Sequence, residues 1–182
     1  SYVIGADPAE GNPNSDESAA TVLDAESWEE VAAFAGQVEP SVFAGYLDQI
    51  GTYFNQADVL VERNNHGHAV LLKLHESGVL RVLPGFDGKP GWNSNVKGKP
   101  LLYDALAEAI RDGNCTIHSG ETANQIASIE AATLSAPEGL HDDRATSYAL
   151  AIAALAYGSV GATPAGIVAA ADPLHAYDQG GF

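Results

Sequence analysis

The sequence predicts an α/β fold in which helices flank a central mixed β-sheet. Three observations support this. The segment Tyr2–Asp7 is a short apolar run closed by Pro8, which is typical of a buried strand. A loop rich in Gly, Pro and Asn separates it from a second strand pattern at 18–23, which favours an antiparallel meander. An amphipathic helix at 41–56 then leads into another apolar run at 57–62, which predicts a crossover connection and a parallel strand pair.

The composition narrows the classes of function. The chain has 182 residues, the size of one ordinary domain. Its formal charge of -16 argues against a broad basic surface that binds nucleic acid unaided. The single cysteine, Cys115, forms neither an internal disulfide nor a Cys-based metal site, and we interpret it as an inert core thiol. With no signal-peptide pattern and no apolar segment near the ~20 residues of a membrane span, we expect a soluble intracellular protein.

The first half of the chain continues the meander and then crosses over. A hairpin turn is expected at 24–27 and a further extended segment at 31–38. The helix at 41–56 has six residues at helical spacing: Phe43, Tyr46, Leu47, Ile50, Tyr53 and Phe54. We predict that the aromatic side chains among them are core.

The second half alternates helices with short strand patterns. Helices are predicted at 66–77, closed by Gly78, at 100–113 and at 122–132, with brief strands at 79–83 and 115–118. The helix after 141–144 is apolar nearly all round, so it must be buried against the sheet. We assign residues 1–158 to one domain and 159–182 to a C-terminal extension that is loose or dependent on a partner.

Carboxylates stand at the ends of these elements. Considered alone, Asp7 is explained by a turn with Pro8. However, Glu62 ends the predicted parallel strand in the same way. Ligands commonly bind at the carboxyl ends of parallel strands, so both residues are candidates. Asp142 and Asp143 precede the buried helix. One aspartate is enough to cap a helix, so the second is not explained by capping. Clustered carboxylates repel one another unless a cation joins them, and oxygen ligands select Mg²⁺ or Mn²⁺. Two such ions close together can activate a water and stabilise the leaving oxygen of a phosphodiester.

The loop at 84–98 and the helix start after it contain three of the chain's few basic residues. Lys89, Lys97 and Lys99 are therefore candidate contacts to a phosphate backbone, with a solvated surface loop as the alternative. Arg63 and Arg144, each beside a candidate ligand, are interpreted as balancing charge.

Three histidines lie near the candidate carboxylates. His66 and His68 follow Glu62, and His141 precedes the Asp pair, so a transition-metal site that includes histidine is one hypothesis. A helix cap or a surface position is the alternative for the first two. His141 is also a candidate helper in proton transfer near the metals.

Four segments in this order resemble the C-terminal nuclease domain of phage large terminase subunits, over about 2–156: GAD, VLVERNNHG, GW…KGKP and HDDRATSYALAIAALA. The resemblance implies a ribonuclease H-like fold and a two-metal endonuclease that cuts concatemeric viral DNA during genome packaging. It implies Asp7, Glu62 and Asp143 as ligands of two Mg²⁺ or Mn²⁺ ions, with Asp142 as an auxiliary ligand. Helical phase does not choose between Asp142 and Asp143.

The resemblance also sets expectations about partners. No GxxxxGK motif followed by Ser or Thr occurs, so we expect an excised domain whose packaging ATPase half lies elsewhere. Double-stranded DNA, that ATPase domain, the portal and the small terminase subunit are the expected partners, in the host cell cytoplasm. Two alternatives remain open: a ribonuclease H-like junction resolvase, or a non-catalytic acidic domain that docks onto a packaging assembly and uses its carboxylates for structure or Ca²⁺.

Overall fold

The computed structural model describes residues 1–13 and 16–158, so the predicted extension at 159–182 lies outside the described residues. Within them the chain forms four strands and five helices, in the order β1 (Tyr2–Asp7), β2 (Ser18–Asp24), β3 (Glu30–Gly36), α1 (Pro40–Tyr53), β4 (Asp58–Val61), α2 (Gly67–Ser77), α3 (Gly98–Arg111), α4 (Gly120–Ser128) and α5 (Asp143–Tyr157). None of the described helices is long and apolar enough to cross a membrane.

The sheet has the strand order β3-β2-β1-β4, which confirms the predicted mixed sheet. β1 is antiparallel to β2 and parallel to β4, with α1 as the crossover between the meander and β4. The last pair of the parallel register joins Ala6 to Val61. The carboxyl ends of β1 and β4 therefore meet at the same edge of the sheet.

Helices cover both faces of the sheet, because the side chains of β1 alternate between two apolar clusters. Val3 packs with α3 and α5 on one face. Ile4 and Ala6 pack with α1 and α2 on the other. A buried strand between two helical layers has apolar residues at nearly every position, as β1 has.

Gly5 sets the distance between β1 and α5. A Cβ atom at Gly5 would overlap the Ser147 carbonyl oxygen and the Ala151 backbone, so only glycine permits this close approach. The small residues of α5 serve the same packing, and its middle is fully buried. Gly5 thus fixes the position of the helix that begins at Asp143.

We expect Gly5→Ala to lower the free energy of unfolding by about 3 kcal/mol, because the added methyl group has no space. The control is Gly45→Ala in the interior of α1, where an added Cβ meets no atom within 4 Å. That change is expected to stabilise the chain by about 0.5–1 kcal/mol through helix propensity. Urea unfolding of both variants measures the difference, and equal effects would contradict the close approach.

Two predicted strands are reduced to isolated bridges. At 79–83 the backbone makes one parallel step, in which Val59 N donates to Arg81 O and Leu83 N donates to Val59 O. Pro84 follows at once and has no N–H with which to extend a ladder. At 115–118 only Thr116 bridges, to Glu29. The prediction of full strands at these positions is wrong.

The prediction that all the aromatics of α1 are core is also wrong in part. Phe43 is fully buried against the sheet. Tyr46 is 39% exposed and Tyr53 is 84% exposed. The sheet covers only the side of α1 that contains Phe43 and Leu47, so the two tyrosines lie on its outer flank.

Candidate active site

Carboxylates from distant parts of the sequence surround one cavity of about 380 Å³ at the carboxyl edge of the sheet. Asp7 ends β1, Glu62 follows β4, and the pair Asp142 and Asp143 opens α5. All four predicted residues line this cavity, together with two further acidic residues, Glu10 and Asp16. The fold therefore brings together the carboxylates that the sequence analysis singled out.

Asp7 and Glu62 are neighbours because of the parallel pairing of their strands. Glu62 N donates to Ala6 O at 2.8 Å, which continues the ladder one step past β4. Asp7 is only 9% exposed. Burial raises the pKa of its carboxyl well above the usual range, and a hydrogen bond to Glu62 and the charges of Glu62 and Asp143 raise it further. A divalent cation between these carboxylates would offset both the burial and the repulsion that raise the pKa of Asp7.

Asn64 holds the Glu62 side chain in place. Its Nδ2 donates to Glu62 Oε2 at 2.7 Å, while its Oδ1 accepts from His66 N at 3.0 Å and from Gly67 N at 2.8 Å. One amide thus links the start of α2 to a candidate ligand. Sequence analysis missed Asn64; the signal was an Asn whose side chain can accept from the backbone N–H groups two and three residues later, at the start of α2.

Asp143 is buried at the start of α5, with 4% of its surface exposed. Burial is the main cause that raises its pKa to about 6, with smaller contributions from Asp16 and Asp142. Glu17 N donates to Asp143 Oδ2 at 3.1 Å and opposes the shift. Asp142 precedes the helix, yet its Oδ2 accepts from Ala136 N at 3.1 Å instead of capping α5.

The histidines are divided between the cavity and the surface. His141 Nδ1 lies 3.1 Å from Asp16 Oδ1 and 3.8 Å from Asp143 Oδ2. Atoms of these three residues lie within 4.8 Å of one another. His66 lines the cavity, whereas His68 is exposed and is not among the lining residues. The pair His66 and His68 therefore does not assemble a joint site.

Most of the basic residues are occupied by carboxylates away from the cavity. Arg63 pairs with Asp87 and Arg144 pairs with Glu121, so neither neutralises the candidate ligand beside it in sequence. Three more basic residues pair with carboxylates outside the cavity: Lys73 with Glu76, Arg81 with Asp58, and Arg111 with Asp112. In the described part of the chain, the basic residues without an ion pair are the three lysines predicted to contact DNA.

Only one of those lysines, Lys99, lines the cavity. Its Nζ donates to Ser135 Oγ at 2.6 Å. Ser94, also on the cavity wall, has a buried Oγ with no hydrogen-bond partner among the described residues. Lys97 packs over the Phe86 ring, 5.6 Å from its centroid, and Lys89 is exposed in the loop. The lining of the cavity thus includes a cation and, among the described residues, a hydroxyl without a hydrogen-bond partner.

The mixed sheet with β1 at an inner position and β4 parallel to it, flanked by helices, has the ribonuclease H-like α/β fold. Among solved structures, the chain is similar to the large terminase nuclease of the thermophilic phage G20c with bound magnesium. The TM-score is 0.66 at 20% identity, over 83% of this chain and 79% of that one. The form with bound zinc gives a TM-score of 0.61 at 20% identity, over 82% and 78%.

A second nuclease domain, from human cytomegalovirus, has a similar fold. The human cytomegalovirus terminase nuclease domain matches with a TM-score of 0.54 at 15% identity, over 84% of this chain and 81% of that one. No protein-family model and no curated protein sequence matches the chain. At these identities the likeness establishes the fold, and at that level it confirms the terminase resemblance found in the sequence.

Proposed function

We propose that this chain is a metal-dependent DNA endonuclease domain of the large-terminase type, which cuts concatemeric viral DNA during genome packaging. The observation that supports this most directly is the convergence of Asp7, Glu62 and the Asp142–Asp143 pair around one cavity. Burial and the neighbouring carboxylates raise the pKa of Asp7 well above its usual range, and a bound cation would offset both effects. A purely structural cluster of this kind would destabilise the fold.

The donor set suits hard divalent cations. Asp7, Glu62 and Asp143 would hold two Mg²⁺ or Mn²⁺ ions, with Asp142 as an auxiliary ligand, because carboxylate oxygens favour these ions. When bound, such ions lower the pKa of an attacking water and stabilise the leaving oxygen of a phosphodiester. The similar G20c nuclease has been solved with bound magnesium, cobalt and zinc, which supports a divalent-cation site here.

Other side chains have supporting roles. Asn64 fixes the rotamer of Glu62 through its hydrogen bond, so that the carboxylate is oriented before a cation arrives. His141 is exposed and close to both Asp16 and Asp143, where its imidazole can hold a proton for the leaving oxygen. We propose it as a proton-transfer helper.

Lys99 is the proposed phosphate contact closest to the reaction. It lines the same cavity as the acidic residues and has no carboxylate partner in the part of the chain that the structure describes. Lys97 and Lys89 extend the basic character along the same loop. With a formal charge of -16, the domain needs contacts to DNA from other proteins or domains. We assign these contacts to the ATPase domain, the portal and the small terminase subunit, in the host cytoplasm.

We expect Lys99→Ala to raise the KM for DNA about tenfold and to reduce the salt dependence of binding by about one unit of slope, because one phosphate contact is lost. The control is Lys73→Ala on α2, whose ammonium pairs with Glu76 on the exposed surface. Cleavage rates over a range of DNA and salt concentrations test this. If Lys73→Ala has the same effect, the role of Lys99 is only general charge.

The proposed function is tested with supercoiled plasmid in Mn²⁺, Mg²⁺, Ca²⁺ or chelator. We expect nicking in Mn²⁺ that chelator abolishes. A preference for four-way junctions over duplex would instead indicate a resolvase. Absence of cutting by the chain joined to its ATPase half, together with a higher melting temperature in Ca²⁺, would indicate the non-catalytic docking domain.

A further inference from the structure

The first turn of α5 is capped by a side chain from another helix. Gln125 lies on α4, and its Oε1 accepts from Arg144 N at 2.8 Å and from Ala145 N at 3.3 Å. Asp142 occupies the N-cap position itself, with φ -127° and ψ 9°, and makes no capping hydrogen bond. An aspartate at this position ordinarily accepts from these same two N–H groups.

This arrangement leaves both aspartates available to the cavity. Asp142 Oδ2 accepts from Ala136 N and Asp143 Oδ2 accepts from Glu17 N, each at 3.1 Å. Among the described residues, no hydrogen bond reaches Oδ1 of either carboxylate. If Gln125 were absent, Asp142 would be the nearest acceptor for the two N–H groups, and capping them would turn its carboxylate from the cavity.

The helix that bears Gln125 is itself fixed to the sheet. Glu30 of β3 is 4% exposed, and its carboxylate accepts from His118 N at 2.6 Å and from Ser119 N at 2.7 Å. It also accepts from Thr122 Oγ1 at 3.4 Å. Thr122 is fully buried one helical turn before Gln125. Gln125 therefore reaches α5 from a rigid support.

We propose that Gln125 is a positioning residue for the cation site: by capping α5 in place of Asp142, it keeps the Asp142 and Asp143 carboxylates directed at the cavity. This inference rests on the proposed function, since it concerns the same carboxylates. Gln125 acts through the ligands and does not contact the cation or the DNA.

The test compares two substitutions by calorimetric titration of the metal-free protein with Mn²⁺. Gln125→Ala removes the acceptor, and we expect about tenfold weaker Mn²⁺ binding, as for other groups that orient metal ligands. Gln125→Glu keeps an acceptor for the two N–H groups and should restore affinity to within about threefold of the unmodified chain. In cleavage assays, Gln125→Ala should lower kcat and leave the KM for DNA unchanged.

Two controls separate positioning from general loss of stability. Asn124→Ala removes the neighbouring amide, which is exposed on the same helix. Ile50→Ala shortens a side chain of α1 that packs in the apolar cluster on the face of the sheet opposite α5. We expect both to bind Mn²⁺ as the unmodified chain does, although Ile50→Ala should melt at a lower temperature.

The outcomes are distinct. If the unmodified chain binds no divalent ion, the proposed function itself fails. If it binds Mn²⁺ and Gln125→Ala binds equally well, or if Gln125→Glu gives no rescue, the positioning role is overturned. Equal loss of affinity in Ile50→Ala would also overturn it, because the effect would then follow stability alone.

Discussion

Replacing Asp7 by asparagine is expected to reduce DNA cleavage by about a thousandfold or more, which corresponds to about 4 kcal/mol of transition-state stabilisation. Asp7 ends the inner strand of the sheet, and its carboxyl interacts with Glu62, Asp142 and Asp143. It is therefore the candidate ligand that interacts with each of the other three. Asparagine has the same shape but lacks the charge that a divalent cation requires.

The matched control for this prediction is Asp104→Asn on the exposed side of α3, which removes one negative charge outside the cavity. We expect it to cut plasmid at the unmodified rate. Initial nicking rates in Mn²⁺ for both variants provide the measurement. Unchanged cutting by Asp7→Asn would exclude the proposed site, whatever the other variants do.

The metal-free protein is expected to become less stable as pH rises from about 4 to about 6, because Asp143 ionises more easily in the unfolded chain. Its pKa is raised from 3.8 to about 6 in the folded state, mainly by burial. Below pH 4 the carboxyl is protonated in both states, so its contribution to stability is fully present. That contribution is lost as pH rises through 6 and amounts to about 3 kcal/mol. The raised pKa of Asp7 acts in the same direction.

Asp143→Asn isolates this effect from other titrating groups. In chelator, we expect the variant to be more stable than the unmodified chain at pH 7.5 and similar to it near pH 4. Mn²⁺ should stabilise the unmodified chain at pH 7.5 and have a much smaller effect on the variant. Urea unfolding at the two pH values checks this. A difference between the two proteins that is independent of pH would contradict the buried-carboxylate account.

The framework of the site could be predicted from the sequence because its signals are local. An apolar run that stops at a carboxylate marks the end of a buried strand, and this pattern located Asp7 and Glu62. The dense apolar composition of α5 predicted a buried helix and drew attention to the two aspartates before it. The parallel pairing of β1 and β4 then followed from the length of the helical crossover.

The side chains that support the ligands could not be predicted, because their partners are distant in sequence. Gln125 meets the start of α5 some 20 residues further along, and nothing in the local pattern of α4 indicates that contact. For the same reason, the local sequence does not indicate that a residue other than Asp142 caps α5. The exposure of Tyr46 and Tyr53 could not be predicted either. Helical spacing identifies an apolar stripe, but it does not indicate how much of that stripe the sheet covers.

The central claim is that Asp7, Glu62 and the aspartates at the start of α5 hold divalent cations. Anomalous diffraction from a crystal of this chain soaked in Mn²⁺ tests it most directly. We predict manganese peaks between the Asp7, Glu62 and Asp143 carboxylates, and the same map would show whether Asp142 is also a ligand. Manganese bound only at Asp16 and His141, or nowhere in the cavity, would contradict the claim.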